Sequence, residues 1–158
     1  MFMEIARVVS MRSTCQRKSV GAILVANNRI ISIGYNGAPA GEPHCEGADC
    51  PIKLDGGCEK AVHAERNAIE HIPKGVIMGP GMDMYSTCSP CPDCADHINQ
   101  SPITRFFYES TYRDMSGLAY LINIGINCYR VTPSGYVLQT LTKNSGSELY
   151  EMPTTLDS

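Results

Sequence analysis

Ile5, Val8, Val9 and Met11 recur at helical spacing, so residues 2–11 are predicted to form a first helix. Arg12-Ser13-Thr14-Cys15-Gln16-Arg17 breaks that pattern as a polar loop. Residues 20–26 are an unbroken apolar run with several β-branched side chains, the signature of a buried strand. Asn27-Asn28 suits a two-residue hairpin turn, which makes residues 29–35 the partner strand. Residues 61–72 predict a helix with Val62, Ile69 and Ile72 on one side, ended by Pro73 and Gly75. A strand follows at 82–87, then a helix opened by Pro92 and continued by Ala95 and Ile98. Residues 103–108 predict a strand, Met115, Leu118, Ala119 and Ile122 an amphipathic helix closed by Gly125, and 126–131 a further strand. From about residue 140 the chain is polar and reads as a loose tail or an ordered flap. Strands alternating with helices predict an α/β three-layer sandwich, with a mixed central sheet of about five strands flanked by helices. Residues 1–158 read as one domain, with no internal repeat and no linker.

The stretch from 36 to 60 has no hydrophobic rhythm and is dominated by Gly, Pro and Cys. A loop this long inside a domain is usually functional, and something other than an apolar face must hold it. The chain has eight cysteines. Glu4 and Arg7 interrupt the apolar N-terminal run, so it does not read as a signal peptide. No stretch reaches the apolar length of a membrane span. These features predict a cytoplasmic protein without a membrane partner, where cysteines serve metals before disulfides. The net charge is −3 and no basic run exists, which argues against a nucleic-acid partner.

Two segments carry candidate chemistry: His63-Ala64-Glu65 and Pro90-Cys91-Pro92-Asp93-Cys94, each at a predicted helix start. Cys91 and Cys94 are three apart, so on a helical turn they share a face. The positive end of a helix favours thiolates, which are what zinc binds. His63 adds an imidazole nitrogen from the neighbouring helix. One His, two Cys and an open fourth position make the donor set of a catalytic zinc site. Glu65, two residues past His63, is poorly placed as a ligand and well placed to face a water whose pKa zinc lowers to roughly 7. A carboxylate there can take the water's proton and deliver it to a substrate. Alone, a Cys-x-x-Cys suits a redox pair or half a structural site equally well, and a lone histidine is more often a core residue. The joint occurrence of all these residues is what makes the pattern specific. A non-enzymatic zinc module would need a closed site and would have no use for Glu65.

His-x-Glu followed by Pro-Cys-x-x-Cys is the signature of zinc-dependent nucleobase deaminases, and at these residues the chain resembles the cytidine deaminase superfamily. The resemblance narrows to the deoxycytidylate deaminases through Arg12-Ser13-Thr14-Cys15, Val20-Gly21-Ala22, Gly34-Tyr35-Asn36-Gly37, Pro39-Ala40-Gly41 and the Cys-rich loop. It implies a mixed sheet flanked by helices, and hydrolysis of dCMP to dUMP and ammonia in the supply of thymidylate. It also implies a homo-oligomer, commonly a hexamer, activated by dCTP and inhibited by dTTP. By resemblance His63, Cys91 and Cys94 hold zinc, and Glu65 moves a proton to ring atom N3 and then to the departing amino group. Asn36 matches a sugar contact, Tyr112 an aromatic packed on the base, and Ala64 a further substrate contact. Arg12, Ser13 and Arg17 offer donors for a 5′-phosphate, which suits the planar fork of arginine. Each has a plainer alternative: a turn cap for Asn36, core packing for Tyr112, solvated charge for the arginines. A nucleic-acid base deaminase would share this chemistry but would be expected to carry a basic surface.

The resemblance further implies a second, structural zinc. Cys15, Cys45, Cys50 and Cys58 are its candidate ligands, with His44 in competition and free thiols as the alternative. Cys88 and Cys128 are expected in the core. Gly37, Ala38, Pro39, Ala40, Gly41 and Glu42 match the stretch that accommodates a triphosphate effector in allosteric relatives, with Lys74 near a position linked to regulation. A Gly- and Pro-rich segment is also simply a turn.

Overall fold

The strand β1 (Gly21–Ala26) is buried along its whole length, as a continuous apolar run requires. The computed structural model describes residues 1–44, 51–54, 56–76, 81–142 and 148–155. Helix α1 (Phe2–Ser10) precedes β1, and β2 (Arg29–Tyr35) returns antiparallel to it. Asn27 and Asn28 make that turn with φ values of 49° and 62°, both positive as a type I′ turn demands. There follow α2 (Ala64–Glu70), β3 (Met82–Cys88), α3 (Pro92–Asn99), β4 (Ile103–Ser110), α4 (Ser116–Asn123) and β5 (Asn127–Val131). Two more strands, β6 (Val137–Thr142) and β7 (Leu149–Pro153), complete the described elements.

The strands form one sheet in the order β2-β1-β3-β4-β5-β6-β7. β3, β4 and β5 run parallel, and the pairings on either side of them are antiparallel. The period-two alternation of β1 divides the interior into two cores. Ala22, Leu24 and Ala26 pack with Ala64 and Ala68 of α2, Ile98 of α3, and Leu118 and Leu121 of α4. Ile23 and Val25 pack with Met3, Ala6 and Val9 of α1 and with Phe107. On that second face Tyr85, Phe107 and Tyr129 stack, with ring centroids 4.4 and 4.9 Å apart. The predicted three-layer α/β sandwich is therefore observed. Among the described residues no helix is long and apolar enough to cross a membrane.

The sheet has seven strands where about five were expected. Both additional strands lie at one end of the sheet, β7 at the very edge, and few of their side chains are fully buried, so the apolar signal is weak. What orders β6 is remote in sequence: Thr140 is buried, and its hydroxyl shares a 2.8 Å hydrogen bond with that of Tyr108. Arg130 pairs with Glu151 of β7 at 3.2 Å. The helix predicted over 61–72 is shorter for a similar reason. Val62 exchanges two backbone hydrogen bonds with Gly37, of 2.8 and 3.1 Å, so the helix cannot begin until His63 caps it.

β2 and α2 touch backbone to backbone. A Cβ on Gly34 would collide with main-chain atoms of Ala64 and Ala68. Gly34→Ala is expected to cost about 1–3 kcal/mol through forced repacking, a fall in melting temperature of roughly 2–12 °C. Because α2 carries His63, zinc affinity should weaken in parallel. A thermal melt and a metal titration of the variant check both effects.

Candidate metal centre and its pocket

Two helix starts meet beside the C-terminal end of β3. His63 is the N-cap of α2 with extended backbone, and it makes no side-chain cap hydrogen bond. Its imidazole is thus left for other work. Cys91 is the N-cap of α3, where its Sγ accepts the backbone N–H of Cys94 at 3.4 Å, and Pro92 begins the helix. His63 Nδ1 lies 3.3 Å from Cys91 Sγ and 3.3 Å from Cys94 Sγ. All three ligand atoms fall within 4.8 Å of one another, and this is the one such cluster among the described residues.

That donor set fits zinc. In a tetrahedral site with bonds of about 2.0 Å to nitrogen and 2.3 Å to sulfur, neighbouring ligand atoms lie about 3.5 Å apart. The electrostatics agree. The Cys91 thiol is pulled down by the hydrogen bond from Cys94 and further by His63, against the opposing effect of burial. Cys94 is pushed up by that same hydrogen bond and by burial. Zinc binds thiolates, so metal binding here would release thiol protons. The His63 imidazolium is favoured by its hydrogen bond to Cys91, against burial.

Glu65 stands just outside the cluster. Its carboxylate is buried at 4% exposure and accepts from Cys94 Sγ at 3.7 Å. Burial pushes its carboxyl up to about 7, partly offset by the His63 charge. A carboxyl poised near neutrality suits a group that must both accept and donate a proton.

The cluster opens into a pocket of about 190 Å³. Ala64 and Glu65 line it beside His63 and Cys91, and Tyr112 lines another wall. The Tyr112 N–H donates to Ser89 Oγ at 2.8 Å, and the Arg113 guanidinium sits 4.7 Å from the Tyr112 ring centroid. Asn36 also lines the pocket and is almost fully buried. Its Oδ1 accepts from Ser13 Oγ and from the Val20 N–H, each at 2.7 Å, and its Nδ2 donates to the Lys18 carbonyl at 2.7 Å. Arg17 lines the pocket.

Arg12 and Ser13 are placed differently. Neither lines the pocket; Ser13 instead holds Asn36, and the Arg12 N–H closes α1 on Val9. Cys15 and Cys58 line the pocket, and neither belongs to the His63, Cys91 and Cys94 cluster. Cys45 and Cys50 lie outside the described residues. Cys88 and Cys128 are buried as expected. Gly37 to Glu42 form the turn linked to Val62, with Glu42 paired to Lys60 at 3.4 Å, and Lys74 is exposed.

Three residues escaped the sequence reading. Lys18 and Arg113 line the pocket, and their only local signal is that each adjoins a residue already singled out, Arg17 and Tyr112. Gly117 at the start of α4 is the third. A Cβ there would lie 2.7 Å from the Pro90 and Cys91 carbonyl oxygens. Nothing in its local sequence says so.

Fold and site together define a zinc-centred deaminase-type architecture. The chain belongs to the cytidine and deoxycytidylate deaminase zinc-binding family, whose model matches residues 1–110. The deoxycytidylate deaminase of Mycobacterium phage D29 is 37% identical over 119 residues, covering 68% of this chain and 90% of its own length. ComE operon protein 2 of Bacillus subtilis is 38% identical over 112 residues, or 71% of this chain. The deoxycytidylate deaminase of Schizosaccharomyces pombe is 34% identical over 128 residues, or 77% of this chain. The match spans 59% of the Bacillus protein and 39% of the yeast one. Among solved structures, the dCMP deaminase of cyanophage S-TIM5 in complex with dCMP and dUMP superposes with a TM-score of 0.71 at 34% identity, covering 82% of this chain and 93% of that one.

Proposed function

We propose that this chain hydrolyses dCMP to dUMP and ammonia. The observation that carries the reading is the convergence of His63, Cys91 and Cys94 with a buried carboxylate, Glu65, in one pocket. Apart from that site, the charged side chains lining the pocket among the described residues are cations: Arg17, Lys18 and Arg113. A cationic wall favours a phosphorylated substrate over a free nucleoside. The cyanophage relative crystallised with dCMP and dUMP supports the same choice.

His63, Cys91 and Cys94 would hold zinc, which when bound supplies a Lewis acid and lowers the pKa of water to about 7. Glu65, buried at one end of the pocket, takes a proton from the water that attacks C4 and returns it at N3 of the ring. It then takes the proton of the new C4 hydroxyl and passes it to the amino group, so the C4–N bond breaks, ammonia leaves and C4 keeps the water's oxygen as a carbonyl. Asn36 has one N–H left after its internal bonds and offers it to the sugar. Tyr112 packs on the base and Ala64 closes the wall beneath it. Arg17 and Arg113 meet the phosphate.

The reading extends to a second zinc on Cys15, Cys58, Cys45 and Cys50, supported by Cys15 and Cys58 lining one pocket. It also extends to cytoplasmic hexamers regulated by dCTP and dTTP through residues 37–42 and Lys74, on resemblance. Ammonia release from dCMP, deoxycytidine and a short single-stranded oligonucleotide, with and without dCTP and dTTP, tests the core of it. Turnover of dCMP well above the others is expected; turnover of the oligonucleotide alone would overturn the substrate. Metal analysis should give about two zinc ions per chain, and a value near one removes the second site.

A further inference from the structure

Lys18 lies in the loop between α1 and β1, and its ammonium is drawn to the C-terminal ends of β3 and β4. Nζ donates to Cys88 Sγ at 3.0 Å and to Ser110 Oγ at 3.4 Å. Neither partner is a carboxylate, so this is no surface ion pair. A lysine left to itself keeps its head in water and its stem mobile; here the stem is held at an entropic cost. An ammonium has three donors, and two are engaged by these contacts. Lys18 lines the pocket that holds His63, Glu65 and Cys91. Its carbonyl also accepts from Asn36 Nδ2 at 2.7 Å, so one residue fixes both the cation and the amide. In α/β sheets, ligands lie at the C-terminal ends of the strands. A ligand with a ring at one end and an anion at the other would meet the metal centre and this braced cation together.

We propose that Lys18 contacts the 5′-phosphate of the substrate and sets the preference for nucleotide over nucleoside. The inference rests on the reaction proposed above. Cys88 and Ser110 act through Lys18 as positioning residues. They hold the ammonium where phosphate arrives, without neutralising it as a carboxylate would.

The test is steady-state kinetics on dCMP and deoxycytidine for the wild-type protein, K18Q, K18R and Cys88→Ala, with zinc content measured for each. Lys18 is exposed as a residue, so glutamine is tolerated there. K18Q is expected to lower kcat/KM for dCMP by about 10- to 100-fold, mainly through KM, as befits one lost charge-assisted hydrogen bond. The ratio of dCMP to deoxycytidine efficiency should fall by at least about tenfold. K18R should recover most of the ratio, and Cys88→Ala should lower it by a smaller factor in KM. A wild-type protein active on dCMP whose K18Q ratio stays within about twofold overturns the role of Lys18. So does a K18Q loss confined to kcat. A wild-type protein inactive on both compounds overturns the proposed reaction and this assignment with it.

Discussion

Glu65→Gln is expected to lower kcat by about 10²–10⁴-fold while zinc content stays at the wild-type level. Glutamine has nearly the shape of glutamate, so the packing around a side chain only 4% exposed is preserved. It cannot take a proton from water and return it to a ring nitrogen. Glu65 is not one of the three clustered ligand residues, so the metal should remain. Folding should not suffer either, because an uncharged amide is cheaper to bury than an ionised carboxylate. The measurement is kcat beside metal content and melting temperature on one sample. Full activity in a zinc-loaded variant would remove Glu65 from the mechanism. Loss of zinc together with activity would recast it as a ligand.

Cys91→Ala is expected to abolish activity and to lower the zinc content by one ion per chain. Among the described residues three protein ligands converge, so removing one leaves an imidazole and a single thiolate. Metal affinity depends on donor number and softness, and a two-donor site loses most of it. Cys91 has a second task, because its sulfur accepts the Cys94 N–H at the start of α3. Losing an N-cap costs about 1 kcal/mol, or about 2–4 °C of melting temperature in a chain of this size. The expected signature is therefore a folded, slightly less stable protein that has lost the zinc of this site. Metal analysis after dialysis, with a thermal melt, checks it. A variant that keeps one tightly held zinc in this site would refute the ligand assignment.

The parts legible in the sequence are those whose cause is local. β1 declares itself because every residue is buried, and the Asn27-Asn28 turn because few residues tolerate two successive positive φ angles. The ligand motifs were legible because each sits at a helix start with its spacing set by one turn. The parts that were missed have distant partners. Lys18 meets Cys88 from 70 positions away, and Thr140 meets Tyr108 from 32. Val62 looked helical by its spacing and is claimed by a bridge to Gly37. Ser13 reads in the sequence as a loop hydroxyl for phosphate, and nothing local to it announces its hydrogen bond to Asn36. Such pairings are decided by the assembled sheet, which no window of neighbouring residues contains.

Gly117 gives the centre its least visible constraint. With no room for even a Cβ between Gly117 and the Pro90 and Cys91 main chain, the turn bearing two of the ligands has no slack on that side. Coordination geometry here is inherited from helix-to-loop contact, and the short motif by itself would not specify it. Grafted onto another scaffold, the same five residues would bind loosely unless a comparable hard stop were built behind them.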